Sequence, residues 1–348
     1  MTLAVTSYQG AVLTDTPGML NLALTLDERE WLGCDVFNVI TKELALESEE
    51  GLPSLSSYLV DDPYGERSIA PAVLAYFGLS EGSVAVTCAA GVNSLLQAAA
   101  SLAARGHAGS IGDIYPDFPH WVQAQGAKCE SGPAGAKVVL LERPNLTGHT
   151  LTHHEVRSLC SVAAESSGVV VVDESYGNYH DPAFSVASEI CNCPNLAVLR
   201  GLAKGYWMGS LRLGYCLSTR EVADTLRSHI APMGVSSLSI RLARAILNQG
   251  SIAGPLRVRV KSAQEQMVEA LISSGFPETI HHAEGVPFVF CKAVQDTAFN
   301  WLSERGILAK RQPFWDSDLC RVSYKIRMSV PLREERMQHF LRCLGKVN

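Results

Sequence analysis

Short apolar runs alternate with amphipathic stretches through the middle of the chain, from residue 83 to residue 216. The run 168–172 contains four consecutive valines, which is typical of a strand buried on both faces of a parallel sheet. Further strands are predicted at 83–87, 137–141, 197–199 and 211–216, with helices at 93–105 and 154–165. Strands that alternate with helices favour βαβ units, and therefore a mostly parallel sheet covered by helices on both faces.

The pattern differs at the two ends of the chain. Before the alternating region we expect a helix at 27–46, and after it helices at 220–230, 238–248 and 256–274. Short strands at 287–291, 307–310 and 321–330 and a helix at 333–344 follow. The fold class predicted is α/β, with a seven-stranded-type large domain and a smaller α+β domain. We expect the large domain to span 46–245 and the small one to combine 1–45 with 246–348, because chain termini commonly lie close together.

Composition and charge narrow the class of protein. Of 348 residues, 47% are hydrophobic and 18% are charged, which is typical of a globular enzyme and excludes a disordered chain. The net charge of −6 argues against a nucleic-acid partner. The chain lacks an apolar run long enough for a membrane span, and residues 1–13 lack the basic and apolar regions of a secretory signal. Ten scattered cysteines suit reduced thiols, so we expect a cytoplasmic protein.

Four side chains with useful chemistry follow the strands of the alternating region. Asp173 ends the valine strand, and the carboxyl edge of such a sheet is where ligands bind. Tyr176 comes three residues later, and Lys204 lies in the apolar, glycine-containing loop 201–206. Arg212 interrupts the apolar run 211–216, where an arginine requires a buried anion. Taken singly, Asp173 could be a helix cap and Lys204 a surface residue.

Together these groups match what pyridoxal 5′-phosphate requires of a protein. A lysine amine forms a Schiff base with the cofactor, and a carboxylate keeps the pyridine nitrogen protonated so that the ring withdraws electrons. A phenol can bond the 3-oxygen of the ring, and a guanidinium can bind the phosphate.

Several short segments carry a family resemblance. Residues 173–179 (DESYGNY) match a D-E-x-Y-x-x-F element, and Lys204 with Arg212 matches the spacing of a Schiff-base lysine and a phosphate-binding arginine. The segment 144–148 (PNLTG) is similar to an N-P-T-G turn, 113–118 (DIYPDF) to a P-x-Y-P-x-Y segment, and 324–330 (YKIRMSV) to an R-I-S strand. The sequence resembles the class I and II aminotransferases, which are fold-type I pyridoxal-phosphate enzymes, and among them the histidinol-phosphate aminotransferases.

The resemblance implies a role for each matching residue. Lys204 is the catalytic Schiff-base lysine, and the other expected cofactor-binding residues are Gly91, Val92, Asn93, Tyr115, Asn145, Asp173, Tyr176 and Arg212. Arg327 is expected to grip the substrate α-carboxylate, although it could also be a solvent-facing arginine on an edge strand. Tyr58 or Tyr64 is expected to reach the neighbouring subunit of a homodimer. The resemblance implies no metal.

The chain also departs from the family pattern. Leu146 replaces the proline of the N-P-T-G turn, and Gly201 and Ala203 stand where the family has hydroxyl residues before the lysine. Residues 21–26 match the N-E-N-P substrate loop poorly. These differences lie around the substrate and the phosphate.

The sequence therefore predicts an aminotransferase that passes the amino group of an α-amino acid or a related amine to a keto acid. The alternative on the same fold is a lyase, decarboxylase or synthase that diverts the carbanion to elimination, replacement or cyclisation. A protein of this fold without catalysis, serving as a binding or regulatory module, is the third hypothesis. The sequence leaves the identity of the substrate open.

Overall fold

The computed structural model describes residues 18–25, 28–292 and 296–347. The strands are β1 (Leu20–Asn21), β2 (Ala85–Ala90), β3 (Ala108–Ile111), β4 (Asp113–Ile114), β5 (Cys129–Ser131), β6 (Val138–Glu142), β7 (Val169–Asp173), β8 (Leu196–Gly201), β9 (Leu213–Ser218), β10 (Ile280–His281), β11 (Phe288–Lys292), β12 (Ile307–Leu308), β13 (Lys310–Asp316) and β14 (Arg321–Ser329). The α-helices are α1 (Val36–Glu49), α2 (Pro53–Ser56), α3 (Glu66–Phe77), α4 (Val92–Ser101), α5 (Asp117–Ala124), α6 (His153–Ala164), α7 (Arg220–Arg227), α8 (Ser237–Leu247), α9 (Gly254–Ser273), α10 (Thr297–Ser303) and α11 (Glu334–Cys343).

Seven strands form the large sheet, in the order β2-β9-β8-β7-β6-β3-β5. The pairs from β8 to β5 are parallel, and β9 runs antiparallel to both of its neighbours. The valines of β7 divide between two cores, since Val170 and Val172 pack into one and Val171 into the other. The predicted fold class, a mostly parallel seven-stranded sheet between helical layers, is confirmed.

A second, five-stranded sheet has the order β10-β11-β14-β13-β4 and is antiparallel throughout; we call it the small sheet. Its edge strand β4 comes from the middle of the chain. Leu20 of β1 pairs with Ile307 of β12, so the described strand β1 lies against the C-terminal part of the chain. The division into 46–245 and the remainder stays a prediction.

The N-terminal boundary of the predicted helix at 27–46 is wrong. Residues 28–31 form a short 3₁₀ turn, and the helix begins only after Asp35, whose carboxylate accepts hydrogen bonds from the backbone N–H groups of Phe37 and Asn38. A good N-cap thus fixes the helix start where apolar periodicity alone did not.

Arg212 is the second correction, because it does not lie within a strand. It occupies an exposed left-handed turn with φ of +49°, immediately before β9. The predicted strand at 307–310 is also incomplete: the chain forms β12 and then the longer β13, in which Pro313 obscures the strand signal.

Candidate active site

The carboxyl ends of β7 and β8 place Asp173 and the Lys204 loop at the same edge of the large sheet, facing the small sheet. Between the two sheets lies a cavity of about 150 Å³, which we call the inner cavity. From the large-sheet side it is lined by predicted residues Val92, Asn93, Tyr115, Asp173, Tyr176 and Lys204, and from the small sheet by Arg327 together with Phe290, Lys310, Gln312, Pro313 and Phe314. The structure therefore brings together seven of the predicted site residues.

Asp173 is buried, with 7% of its surface exposed. Burial raises the pKa of its carboxyl, while the backbone N–H of Ser175, which donates to Oδ1 over 2.8 Å, acts in the opposite direction. A buried carboxylate of this kind gains most from a neighbouring cation. It is suited to a protonated ring nitrogen.

The loop that carries Lys204 is fixed by a buried polar network. The Asn178 side-chain N–H groups donate to the backbone carbonyls of Gly201 and Lys204, each over 2.8 Å, and its Oδ1 accepts from Arg200 over 2.7 Å. Arg200 also donates to Glu174 over 3.2 Å, and all three side chains are at most 1% exposed. The Lys204 amine lies 5.6 Å from the centre of the Tyr176 ring.

An anion cradle lies at the start of α4. Gly91 has φ of +79°, and a Cβ there would approach Arg212 Nη2 to 2.5 Å; a Cβ on Gly214 would lie 2.5 Å from the backbone nitrogen of Val92. The positive φ at Gly91 favours glycine, and a Cβ on Gly214 would collide with the backbone nitrogen at the start of α4. Backbone N–H groups at a helix N-terminus and a guanidinium are together suited to a phosphate.

Arg327 is buried, with 9% of its surface exposed, so its interpretation as a solvent-facing residue is wrong. Its guanidinium lies 4.6 Å from the centre of the Phe288 ring, and Nη2 donates to the carbonyl of Ala23 over 2.5 Å. Its Nε has no hydrogen-bond partner in the described part of the chain. A buried, unpaired donor on a cavity wall is what an anionic ligand would satisfy.

Two ionisable residues of the inner cavity wall, Lys310 and Glu142, escaped the sequence analysis. Lys310 pairs with Arg327 across β13 and β14, and burial, Arg327 and Lys204 lower its pKa to about 8. Glu142 is the in-register neighbour of Asp173, and burial raises the pKa of its carboxyl well above the usual range, with Asp173 contributing. Neither belongs to a recognisable motif, and only strand pairing brings them to the cavity.

Five predicted residues do not line this cavity: Gly91 and Arg212, which form the cradle at the start of α4, and Asn145, Tyr58 and Tyr64. The Asn145 amide is engaged within the fold, donating to the carbonyl of Asp113 and accepting from the backbone N–H of Thr147. The Tyr64 hydroxyl donates to the carbonyl of Arg227 of its own chain. Tyr58 is 85% exposed, so of the two tyrosines it is the one available to a second subunit.

The residues present fit pyridoxal phosphate. The site offers a carboxylate for the ring nitrogen, an amine for the aldehyde carbon, aromatic side chains for the ring, and the cradle at Gly91 and Arg212 for the phosphate. The structure shows no group of three or more His, Cys, Asp or Glu residues suited to a metal ion within the described ranges. Fold and cavity together define a fold-type I pyridoxal-phosphate enzyme.

Comparison with known proteins identifies the family. The model for "Aminotransferase class I and II" matches residues 111–344, and the chain belongs to this family. The histidinol-phosphate aminotransferase 1 of Dechloromonas aromatica is 33% identical over 155 residues, covering 44% of this chain and 42% of that protein. The histidinol-phosphate aminotransferase of Desulfitobacterium hafniense is 28% identical over 221 residues, which cover 63% of this chain and 58% of that protein. The chain thus aligns with about half the length of these relatives.

The fold is similar to that of solved structures over nearly its whole length. The histidinol-phosphate aminotransferase from Clostridium acetobutylicum matches with a TM-score of 0.73 at 17% identity, covering 94% of this chain and 98% of that one. At this identity the similarity concerns the fold.

Proposed function

We propose that the protein is a pyridoxal-phosphate-dependent aminotransferase that transfers the amino group of an α-amino acid or a related amine to a keto acid. The observation that carries this proposal is the convergence of Asp173, Tyr176, Lys204 and Arg327 on one cavity. Membership of the aminotransferase family supports it.

The proposed roles follow from where each side chain lies. Asp173 holds a proton on the ring nitrogen, and Tyr176 bonds the 3-oxygen. Arg327 holds the substrate carboxylate, which fixes the bond at Cα that stands perpendicular to the ring. The Lys204 amine would remove the Cα proton and deliver a proton to the cofactor carbon that is bonded to the substrate nitrogen. Bound pyridoxal phosphate supplies the electron-withdrawing ring that makes this proton acidic.

The experiment is to mix the holoenzyme with single amino acids, without a keto acid, and to follow the absorbance spectrum and the products by mass spectrometry. Transamination gives the corresponding keto acid and converts the cofactor to its amine form. The lyase, decarboxylase or synthase alternative gives other products and leaves the cofactor unchanged, and that result would overturn the proposal.

A homodimer with a two-fold interface is also proposed. The segment 52–60 exposes Leu52, Leu55, Tyr58 and Val60, between 42% and 85% of each, a density of apolar surface that suits an interface. Sedimentation should show a dimer that Leu55→Asp dissociates, whereas Val258→Asp, on the exposed face of α9, should leave it intact. A fully active monomer would contradict this.

We also propose that the protein is cytoplasmic. All ten cysteines are free thiols, which suits a reducing compartment. In the ranges that the structure covers, no helix is long and apolar enough to cross a membrane.

A further inference from the structure

A second cavity, of about 360 Å³, lies beside the inner one; we call it the outer cavity. Lys204, Arg327 and Ala203 contribute to its wall, and so do Glu28, Tyr179 and Trp207. Lys204 and Arg327 line both cavities, so a substrate held by these two residues has the outer cavity within reach of its side chain.

Glu28 places a carboxylate in the outer wall. It is 3% exposed, and the Tyr179 hydroxyl donates to its Oε1. Burial and the nearby Glu28 carboxylate raise the pKa of Tyr179 well above its usual range, so the phenol stays protonated and continues to donate. A carboxylate can accept about four hydrogen bonds, so accepting from Tyr179 does not by itself prevent Glu28 from binding a ligand.

The proposed reaction gives a role to the cations of the outer cavity but not to its carboxylate. Its two cations, Lys204 and Arg327, already act on the Cα proton and the α-carboxylate in the proposed reaction. Lys310, the third cation near Arg327, lines the inner cavity. Among the described residues of the outer wall, Glu28 is the acidic side chain, and the proposed reaction gives it no role.

Aromatic side chains share the outer cavity with this carboxylate. Tyr179, Trp207 and Phe288 line the same cavity, and aromatic faces together with a carboxylate form a favourable environment for an organic cation. Trp207 adopts a left-handed backbone with φ of +60°, a strained conformation for a bulky side chain. Trp207 is 41% exposed, so it is the solvent-accessible aromatic residue among these three.

We propose that Glu28 selects amino donors whose side chain ends in a cation, such as an amine or a guanidinium, and binds that cation in the outer cavity. This inference rests on the proposed aminotransferase function. It names the substrate class that the family resemblance leaves open.

The first test uses the holoenzyme and pairs of amino acids of nearly equal shape that differ in side-chain charge: arginine against citrulline, and lysine against norleucine. We expect kcat/KM for the charged member to exceed that for the neutral one by about tenfold or more, because a site built around a polar contact rejects an analogue lacking it. Equal or reversed preference would overturn the inference.

The second test removes the charge. In Glu28→Gln the arginine-to-citrulline ratio should fall to within about two-fold of unity, with the loss for arginine appearing mainly in KM and in the Kd from calorimetry. The control is Glu30→Gln, an exposed carboxylate that pairs with Arg333 and should keep the wild-type ratio. An unchanged ratio in Glu28→Gln would contradict the assignment. If that variant fails to fold, the substrate pairs still decide the question with the unaltered protein.

The two proposals fail differently. Conversion of the cofactor by neutral or acidic amino acids alone would overturn the role of Glu28 and leave the aminotransferase intact. Conversion by no amino acid at all would overturn the proposed function, and this inference with it.

Discussion

The side-chain amide of Asn178 donates to the backbone carbonyl of Lys204 over 2.8 Å. Asn178 is 1% exposed and lies in the turn after β7, five residues beyond Asp173. One buried amide therefore links the turn after Asp173 to the loop that carries the proposed nucleophile. The oxygen of the same amide accepts a hydrogen bond from Arg200 over 2.7 Å.

The first prediction concerns this link. Asn178→Ala leaves two buried carbonyls without their donor, at about 1–3 kcal/mol for each unsatisfied group. We expect urea denaturation to show a loss of about 2–6 kcal/mol in the free energy of unfolding. We also expect kcat to fall, because the Lys204 loop loses its anchor.

Asn195 provides a matched control. Its amide also donates to two backbone carbonyls, those of Cys160 and Gly168, over 3.0 and 2.9 Å, but at the opposite end of β8 from the Lys204 loop. Asn195→Ala should lose comparable stability while keeping its kcat at a temperature where it remains folded. If both variants lose kcat equally, Asn178 stabilises the fold without positioning Lys204.

The second prediction tests Asp173. Asp173→Asn should keep the cofactor bound but lose about 10²–10³ in kcat, the usual cost of removing one preorganised electrostatic contact. Asp173→Glu keeps the charge and should retain more activity than Asp173→Asn. Steady-state kinetics on cofactor-saturated proteins measures both, and equal activity in all three proteins would show that Asp173 only caps the turn.

The third prediction tests Arg327. Arg327→Lys should lower kcat/KM for the best amino acid by more than about tenfold, because lysine cannot form the two-pronged contact with a carboxylate. Cofactor affinity should change little. For amines without a carboxylate, kcat/KM in Arg327→Lys should stay close to the value in the unaltered protein. Arg321→Lys, at the exposed end of the same strand, is the control. A loss within about two-fold, under about 0.5 kcal/mol, would mean that carboxylates are not selected through Arg327.

The fourth prediction concerns pH. Since the pKa of Lys310 is lowered to about 8, its ammonium is charged below that pH and neutral above it. A substrate whose carboxylate is held near Arg327 should therefore bind more weakly as the pH rises through about 8, seen as a rising KM. Lys310→Arg keeps its charge throughout and should flatten this rise. An identical rise in both proteins would assign it to another group.

The sequence predicted the part of the site that follows local rules. Asp173 and Lys204 could be predicted from the sequence because each follows a recognisable apolar strand, and parallel strands end at a common edge of the sheet. Alternation along 321–330 separated Arg327 from the apolar Ile326 and Met328, and the structure buries all three. The alternation of apolar and polar residues did not predict which part of the protein covers Arg327.

The residues that were missed reach the site through non-local contacts. Lys310 arrives by pairing with Arg327, Glu142 by pairing with Asp173, and Glu28 through the fold of the N-terminal segment. No spacing along the chain encodes such contacts. Arg212 was placed in a strand because its neighbours are apolar, whereas its left-handed turn is a backbone feature that composition does not reveal.

The most direct test of the account is to fix the cofactor to the protein with borohydride and locate it by peptide mass spectrometry. Two lysines, Lys204 and Lys310, line the inner cavity, so the experiment has two distinguishable outcomes. The account predicts a pyridoxyl group on Lys204, and a folded Lys204→Ala protein with no fixed cofactor. A pyridoxyl group on Lys310 in the wild-type protein, or one retained in Lys204→Ala, would contradict it.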